Sequence, residues 1–578
     1  MRKLIPYLRG YGRESVFGPL FKLLEVCFEL VVPMVMAAII DRGIQNRDVG
    51  YILSMGGLLV IFGVLGLCSS VTAQYFAAKA AYGFGTALRR DMFAHINRLS
   101  FSELDEVGTA SLITRITGDI NQAQSGVNLV LRLFMRSPFV VIGALVMAFG
   151  INVRIAWIFA AAVPVLALVI YGVMAVGMPI YQKAQKQLDS VSMITRENLT
   201  GIRVIRAFSR QEDEAARFGE HSRSLRGFQL LAGKVSALMN PLTYVLVNAA
   251  IILILWQGAG QVDSGVITQG EVIALVNYMT QILLALIALA QLIVTFTRAS
   301  ASAVRINEVM AVRPTMSDRG AETHEPVPGA ARVEMRGVDF SYQGARSAAL
   351  EDISFAARPG ETIGIIGGTG AGKSTLVNLI PRFYDVSRGA VLVDGVDVRD
   401  YPFARLREKM GIVPQKAVLF RGTIRDNMRW RKKDATEEEI NRALEIAQAK
   451  EVVAGKEGGL DAWVAQGGRN FSGGQRQRLT IARALVGDPE ILILDDSASA
   501  LDFATDARLR RAIAERTRGM TVFIVSQRVS SIRSADRILV LDDGAVVGSG
   551  THDQLYENCP VYREICLSQL SEEEVRRA

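Results

Sequence analysis

The segment Gly367–Thr375 reads GGTGAGKST and fits the spacing G-x4-G-K-S. It follows the β-branched run TIGII and precedes the helix-like LVNLI, which is the strand–loop–helix context that phosphate cradling needs. Gly367, Gly368, Gly370 and Gly372, with Thr369 and Ala371 between them, let backbone N–H groups close on phosphate oxygens. The dipole of the following helix adds to that attraction. Lys373 is expected to reach the β- and γ-phosphates, and the Ser374 hydroxyl to ligate Mg²⁺, with Thr375 next to it. A carboxylate further along the chain supports this reading. Asp495 closes the hydrophobic strand Ile491–Leu494, where an acid holds Mg²⁺ from its second shell. The expected ligands are therefore ATP and Mg²⁺.

The chain that positions these residues has 578 residues, half of them apolar. That is too long for one ordinary domain and too apolar for a soluble one. Six apolar segments fill the first half: 16–40, 51–78, 127–151, 155–180, 235–258 and 272–297. Each approaches or exceeds the roughly 20 residues that cross a bilayer as a helix. Arg132 and Arg136 interrupt the third and are expected at the cytoplasmic interface. The second and fourth connections are long and carry sixteen Lys and Arg, against Arg42, Arg47 and Arg154 in the three short ones. This asymmetry orients the long loops and the N-terminus toward the cytoplasm. It also accounts for the net charge of +8 without nucleic acid, which is not an expected partner. Three- and four-residue apolar spacing in ASLITRITGDI and NLTGIRVIRAF predicts that the helices continue into the cytoplasm. Composition turns to Pro, Gly, Asp and Glu near Ala311–Ala331, a linker. Strands and helices alternate beyond it. The expected domains are 1–310, a six-helix membrane domain; 311–331, a linker; and 332–578, an α/β P-loop nucleotide-binding domain.

Other features are local. MRKLIPYLRGYGRE reads as an amphipathic interfacial helix before the first span, without a cleavable signal. Cys27, Cys68, Cys559 and Cys566 lack zinc-ligand spacing and read as reduced structural thiols. Glu25 and Glu29 share a face of the first span with Lys22 nearby. Glu29 lies about 18 Å inward from Asp41, near mid-bilayer. Two readings stand: a polar patch attracting cationic substrates, or a structural pairing with Lys22 or another helix. Pro33, Pro164 and Pro241 are expected to kink their spans. Trp256, Tyr244, Tyr278 and Phe296 are candidates for lining a substrate cavity.

Phe471–Gln475 reads FSGGQ, followed by RQR. With the phosphate loop and six spans, this resembles the ATP-binding cassette (ABC) exporters of the half-transporter type, over nearly the whole length. FSGGQ (Phe471, Ser472, Gly473, Gly474, Gln475) is similar to their LSGGQ signature, with Phe for Leu. The resemblance implies that Tyr342 in DFSYQG stacks on adenine. It implies that Gln415 in GIVPQ contacts Mg²⁺ and senses the membrane domain, and that Asp502 in SALD signals across a dimer. It also implies helical tips on the two long loops, near 107–114 and 197–208, docking on nucleotide domains.

Three positions depart from the family pattern. Asp496 stands where a catalytic Glu is expected, Gln527 where a His contacts the γ-phosphate, and Gln466 where many exporters carry Glu beside the signature. Aspartate is shorter than glutamate by about 1.5 Å. Gln527 offers a hydrogen bond but takes up no charge. In the family each ATP lies between one chain's phosphate loop and the other's signature. The expectation is thus a degenerate site on Lys373, Asp495, Asp496 and Gln527. A good site is completed by this chain's Ser472 and Gly474 on a non-identical ABC half-transporter partner, as in asymmetric bacterial heterodimeric multidrug exporters. The expected activity is ATP-driven export of amphipathic, drug-like or lipid-like compounds from the cytoplasm or inner leaflet of a bacterial inner membrane. Lipid, peptide or metal-chelate transport, or ATP-binding regulation without pumping, are the alternatives.

Overall fold

The structure, a computed structural model, describes residues 2–318, 327–497, 500–516 and 519–570. The chain divides into two compact units, Met1–Asn97 with Thr109–Ala311, and Arg98–Gly108 with Val312–Ala578.

Six helices of the first unit are long and apolar enough to cross a membrane: Lys3–Ile44, Val49–Ile96, Thr109–Ile151, Val153–Thr200, Gln211–Asp263 and Gln269–Ala311. The second and fourth have 48 residues each. At 1.5 Å per residue they run about 72 Å, more than twice the hydrocarbon thickness of about 30 Å. Side-chain caps start them: Asp48 accepts from the Tyr51 N–H, and Asn152 from those of Arg154 and Ile155. The sixth helix is the hub, with Tyr278, Met279 and Ile282 fully buried against Val26, Phe159 and Ile254. Asp41 ties it to the first helix, accepting from the Gly270 N–H at 2.8 Å and the Thr268 hydroxyl at 2.5 Å. A side chain at Gly270 would collide with the Ala37 carbonyl. Pro33 and Pro164 lie inside helices. Pro241 instead sits in the first turn of Met239–Asp263, just past a break after Ala237, where its missing N–H costs nothing.

The intramembrane charges correct one expectation and decide between the two readings of Glu25 and Glu29. Lys22 bonds Glu25 at 2.6 Å, and Arg136 bonds Glu29 at 2.9 Å. Arg136 therefore shares the depth of Glu29, about 22 Å from the outer end of its helix, rather than lying at the cytoplasmic interface. Both carboxylates are neutralised by cations of this chain, so the structural pairing replaces the cation-attracting patch. Glu29→Gln should strand Arg136 in the bilayer and destabilise the membrane unit by about 2–3 kcal/mol. Thermal unfolding in detergent reads this, and an unchanged midpoint would refute the pairing. Tyr278 is also not a cavity residue. It is fully buried and donates its hydroxyl to the Leu30 carbonyl at 2.6 Å.

The second unit is built on two main sheets. A four-stranded antiparallel sheet runs in the order Leu350–Ala357, Val333–Phe340, Arg388–Val393, Val396–Asp397. A six-stranded sheet runs Ala545–Gly550, Arg537–Asp542, Thr362–Gly367, Thr521–Val525, Ile491–Asp495, Met410–Val413. Its last five strands are parallel. Buried on both faces, they read as continuous apolar runs. Register places Val525 beside Asp495 on one side and Ile365 on the other. Three chain segments thus leave the sheet at one carboxyl edge, where α/β sheets bind ligands.

Candidate functional site

The phosphate loop leaves its strand at Gly367 and enters the helix Lys373–Leu379 through Gly372. Gly372 has φ of 90°, and a Cβ there would stand 2.7 Å from the Ala349 carbonyl oxygen. Only glycine fits a left-handed turn at that approach. Lys373 folds over the loop, its ammonium donating to the Gly367 carbonyl at 3.0 Å and the Gly368 carbonyl at 2.5 Å. Burial lowers its pKa, and the charges of Asp496 and Asp495 partly offset that. Ser374 donates to Asp495 at 2.9 Å. Burial raises the Asp495 carboxyl; Asp496 raises it further, while the Ser374 hydrogen bond and Lys373 pull it down.

These groups face a cavity of about 330 Å³. Tyr342, Thr369, Gly370, Gly372, Lys373, Ser374, Thr375, Gln415, Asp495, Asp496 and Gln527 all line it. Gly367 ends the strand before the loop, and Gly368 and Ala371 belong to the loop itself. Tyr342 is fixed by a hydroxyl contact of 3.0 Å with Thr375 Oγ1. Asp496 adopts φ of 43°, a left-handed backbone that Asp tolerates better than most residues. Its N–H donates to the Val525 carbonyl at 3.0 Å, which seats it between the two strand ends. Sequence reasoning missed a clamp on the neighbouring loop. The Gln569 side-chain amide donates to the Gln527 carbonyl at 2.7 Å and accepts from the Val529 N–H at 2.9 Å.

The signature does not line this cavity. Ser472 caps the helix Gly473–Leu485 in a reciprocal box with Gln475. Phe471 is buried, with the Lys456 ammonium 4.8 Å over its ring, so Phe keeps the apolar role of Leu. A Cβ on Gly474 would meet the Ala500 carbonyl at 3.1 Å. Asp502 accepts from the Thr505 N–H and hydroxyl, each at 2.8 Å, and starts the next helix. Gln466 opens a short 3₁₀ turn. Ser499 of SALD lies outside the described residues.

The segment Arg98–Gly108, which joins the second and third membrane helices, packs within the nucleotide unit. Its helix is Phe101–Val107, started by a Ser100–Glu103 capping box and ended at Gly108 with φ of 78°. The docked tip therefore precedes the expected 107–114. Phe101 packs on Phe383 with ring centroids 4.7 Å apart, and the Tyr384 hydroxyl donates to Asp105 at 2.7 Å. Tyr384 stands edge-on to Tyr342 at 5.4 Å. Burial and Asp105 raise the Tyr384 pKa. Glu103 is buried and accepts from Ser100 N–H at 2.7 Å, Thr315 N–H at 3.2 Å and Thr315 Oγ1 at 2.7 Å. Burial raises its pKa, but these bonds together hold it below the ordinary value. The second expected tip contains the short helix Ile202–Ala207.

Comparison with known proteins agrees with this architecture. Residues 16–286 match the family described as ABC transporter transmembrane region, and residues 350–499 the family described as ABC transporter. An uncharacterized ABC transporter ATP-binding protein of Mycobacterium tuberculosis is 38% identical over 97% of both chains. One of Bacillus subtilis is 36% identical over 99% of both. An ATP-dependent lipid A-core flippase of Vibrio vulnificus is 30% identical, covering 99% of this chain and 98% of its own. Among solved structures, a bacterial Atm1-family ABC exporter with ATP bound aligns with a TM-score of 0.79, at 23% identity, over 97% of this chain and 98% of that one. The chain belongs to the ABC transporter family. It is a multi-pass membrane protein with a cytoplasmic nucleotide-binding domain, and an ATPase of the ABC transporter type.

Proposed function

We propose that this chain is one half of an asymmetric exporter. It binds ATP on its own phosphate loop, hydrolyses it slowly there, and lends its signature to a faster site on a non-identical half-transporter. The observation that carries this reading is the cavity in which Asp496 and Gln527 stand beside Lys373 and Asp495. Hydrolysis needs a base within hydrogen-bond reach of the attacking water. Asp496 is short for that task, and Gln527 cannot accept a proton while contacting the γ-phosphate. Ser374, Gln415 and Asp495 offer only oxygen donors at the cavity, a set suited to Mg²⁺. That ion would neutralise phosphate charge; binding and orientation remain with the protein groups.

The intact Ser472 cap and the close seat of Gly474 support a working signature for a partner's ATP. The partner carries Glu and His at the two departing positions and a degenerate signature of its own. Exposed apolar groups support a second chain: Val204 and Phe208 on one unit, and Phe420, Trp430 and Trp463 on the other. Closure of two nucleotide domains on ATP swings the membrane helices between inward- and outward-facing states.

The cargo is an amphipathic compound. A cavity of about 630 Å³ in the membrane unit supports this, and Met174, Met178, Met239, Tyr181 and Arg298 are among its lining residues. Trp256, Tyr244 and Phe296 are not. The flippase relatives favour lipid as the cargo class. Purified alone, the chain should hydrolyse ATP at least about tenfold more slowly than with its partner, given the misplacement argument. Equal rates per ATP site would reject the asymmetry.

A further inference from the structure

We infer that the cargo carries a negatively charged head, and that Arg298 is the residue that reads it. This rests on the export of amphipathic compounds proposed above and fixes the sign of their charge. The argument begins with what the membrane unit leaves unpaired. Its two carboxylates within the first span, Glu25 and Glu29, are bonded to Lys22 and Arg136. Arg298, by contrast, has no carboxylate within 4 Å among the described residues. Arg132 likewise has no ion pair among them, and its Nε is buried without a hydrogen-bond partner. Within the six apolar segments, the one charge without an ion pair among the described residues is thus a cation, Arg132, and Arg298 directly follows the last segment.

Position gives the cargo its second property. Arg298 follows the outer end of its helix, Gln269, by 29 residues, about 44 Å along the axis. The bilayer with headgroups measures about 40–45 Å. With the nucleotide domain cytoplasmic, Arg298 stands at the level of the inner-leaflet headgroups. The cavity then extends toward the bilayer centre past Met178, Met174 and Met239. Thioether side chains adapt to flexible chains of varied length. Tyr181 and Ser236 share a hydroxyl contact of 2.9 Å on the same wall, and Gln182 supplies a further polar group. A guanidinium at headgroup depth above a methionine-lined slot matches a phosphate or carboxylate on an alkyl chain. Its charge-assisted fork favours such oxyanions over ammonium heads.

The test is equilibrium binding to the full-length chain, with its partner, in phosphatidylcholine nanodiscs. The probes are dodecyl phosphate, dodecyltrimethylammonium and dodecanol. Dodecyl phosphate should bind about tenfold or more tighter than the ammonium. Arg298→Ala should remove that preference, and Arg298→Lys should keep most of it. Inorganic phosphate should compete only weakly, because it lacks the chain. Equal or tighter binding of the ammonium, or an unchanged phosphate preference in Arg298→Ala, would overturn the assignment. Full displacement by millimolar inorganic phosphate would reduce the site to an anion site and overturn the amphiphile. Binding as expected without ATP-driven movement of the probe would instead count against the export reading and leave this one standing.

Discussion

Replacing Asp496 by alanine should leave steady-state ATP turnover of the assembled exporter within about twofold of wild type. Replacing the catalytic Glu of the partner should lower it by two orders of magnitude or more. The reason is geometric. Asp496 lines the same cavity as Lys373 and Ser374, but its carboxylate ends about one C–C bond short of where a glutamate would end. A displacement of about 1 Å from the productive geometry costs roughly a hundredfold in rate. The complementary experiment is a gain of function. Asp496→Glu with Gln527→His should raise the ATPase rate of this chain's own site, by up to about a hundredfold. The single change Asp496→Glu should give less, since Gln527 lines the same cavity without a titratable nitrogen. The left-handed backbone at 496, with φ of 43°, tempers the gain, because a longer side chain is less at ease there than Asp. Measuring phosphate release from the four combinations separates the outcomes. Equal losses on mutating the two sites would show that both hydrolyse, and the asymmetric reading would fall.

The phosphate loop and Asp495 were legible because each is tied to local sequence, whereas Tyr342, Gln415, Asp496 and Gln527 were named only through the family resemblance. The phosphate loop needs glycines at fixed offsets between a strand and a helix, and Asp495 needs only an apolar strand before it. The six spans were legible for the same reason, since hydropathy is summed along one segment. What escaped were pairings between distant segments. Hydropathy placed Arg136 at an interface; only the partner 107 positions away, Glu29, explains its depth. Tyr278 looked like a cavity aromatic until its hydroxyl met the Leu30 carbonyl. The docked helix was misjudged by a few residues, although Ser100 and Glu103 already spelled a capping box and Gly108 a stop. Gln569 had no sequence signal at all, because its role depends on where the last helix ends against the Gln527 loop.

The second large effect concerns how nucleotide occupancy reaches the membrane arm. Tyr342 lines the nucleotide cavity, touches Tyr384 edge-to-face, and Tyr384 in turn donates to Asp105 on the docked helix. That helix continues through the chain into the second and third membrane helices. Glu103 on the same helix also holds Thr315, so the segment after the sixth helix meets it in the same unit. A ligand stacked on Tyr342 restricts that ring, and the contact with Tyr384 passes the restriction to a single charge-assisted hydrogen bond. Tyr384→Phe keeps the aromatic packing and deletes only the donor. ATP affinity should therefore stay within about twofold of wild type. Stimulation of ATPase by transported compound should fall about fivefold or more, the range of typical site-to-site coupling. Asp105→Ala should match it. The double variant should be no worse than either single one, because both remove one interaction. Asp105→Asn, which retains an acceptor, should be intermediate. Additive losses would mean that Tyr384 and Asp105 act separately. Full stimulation in Tyr384→Phe would mean that the hydrogen bond holds the docked helix in place without transmitting anything through it.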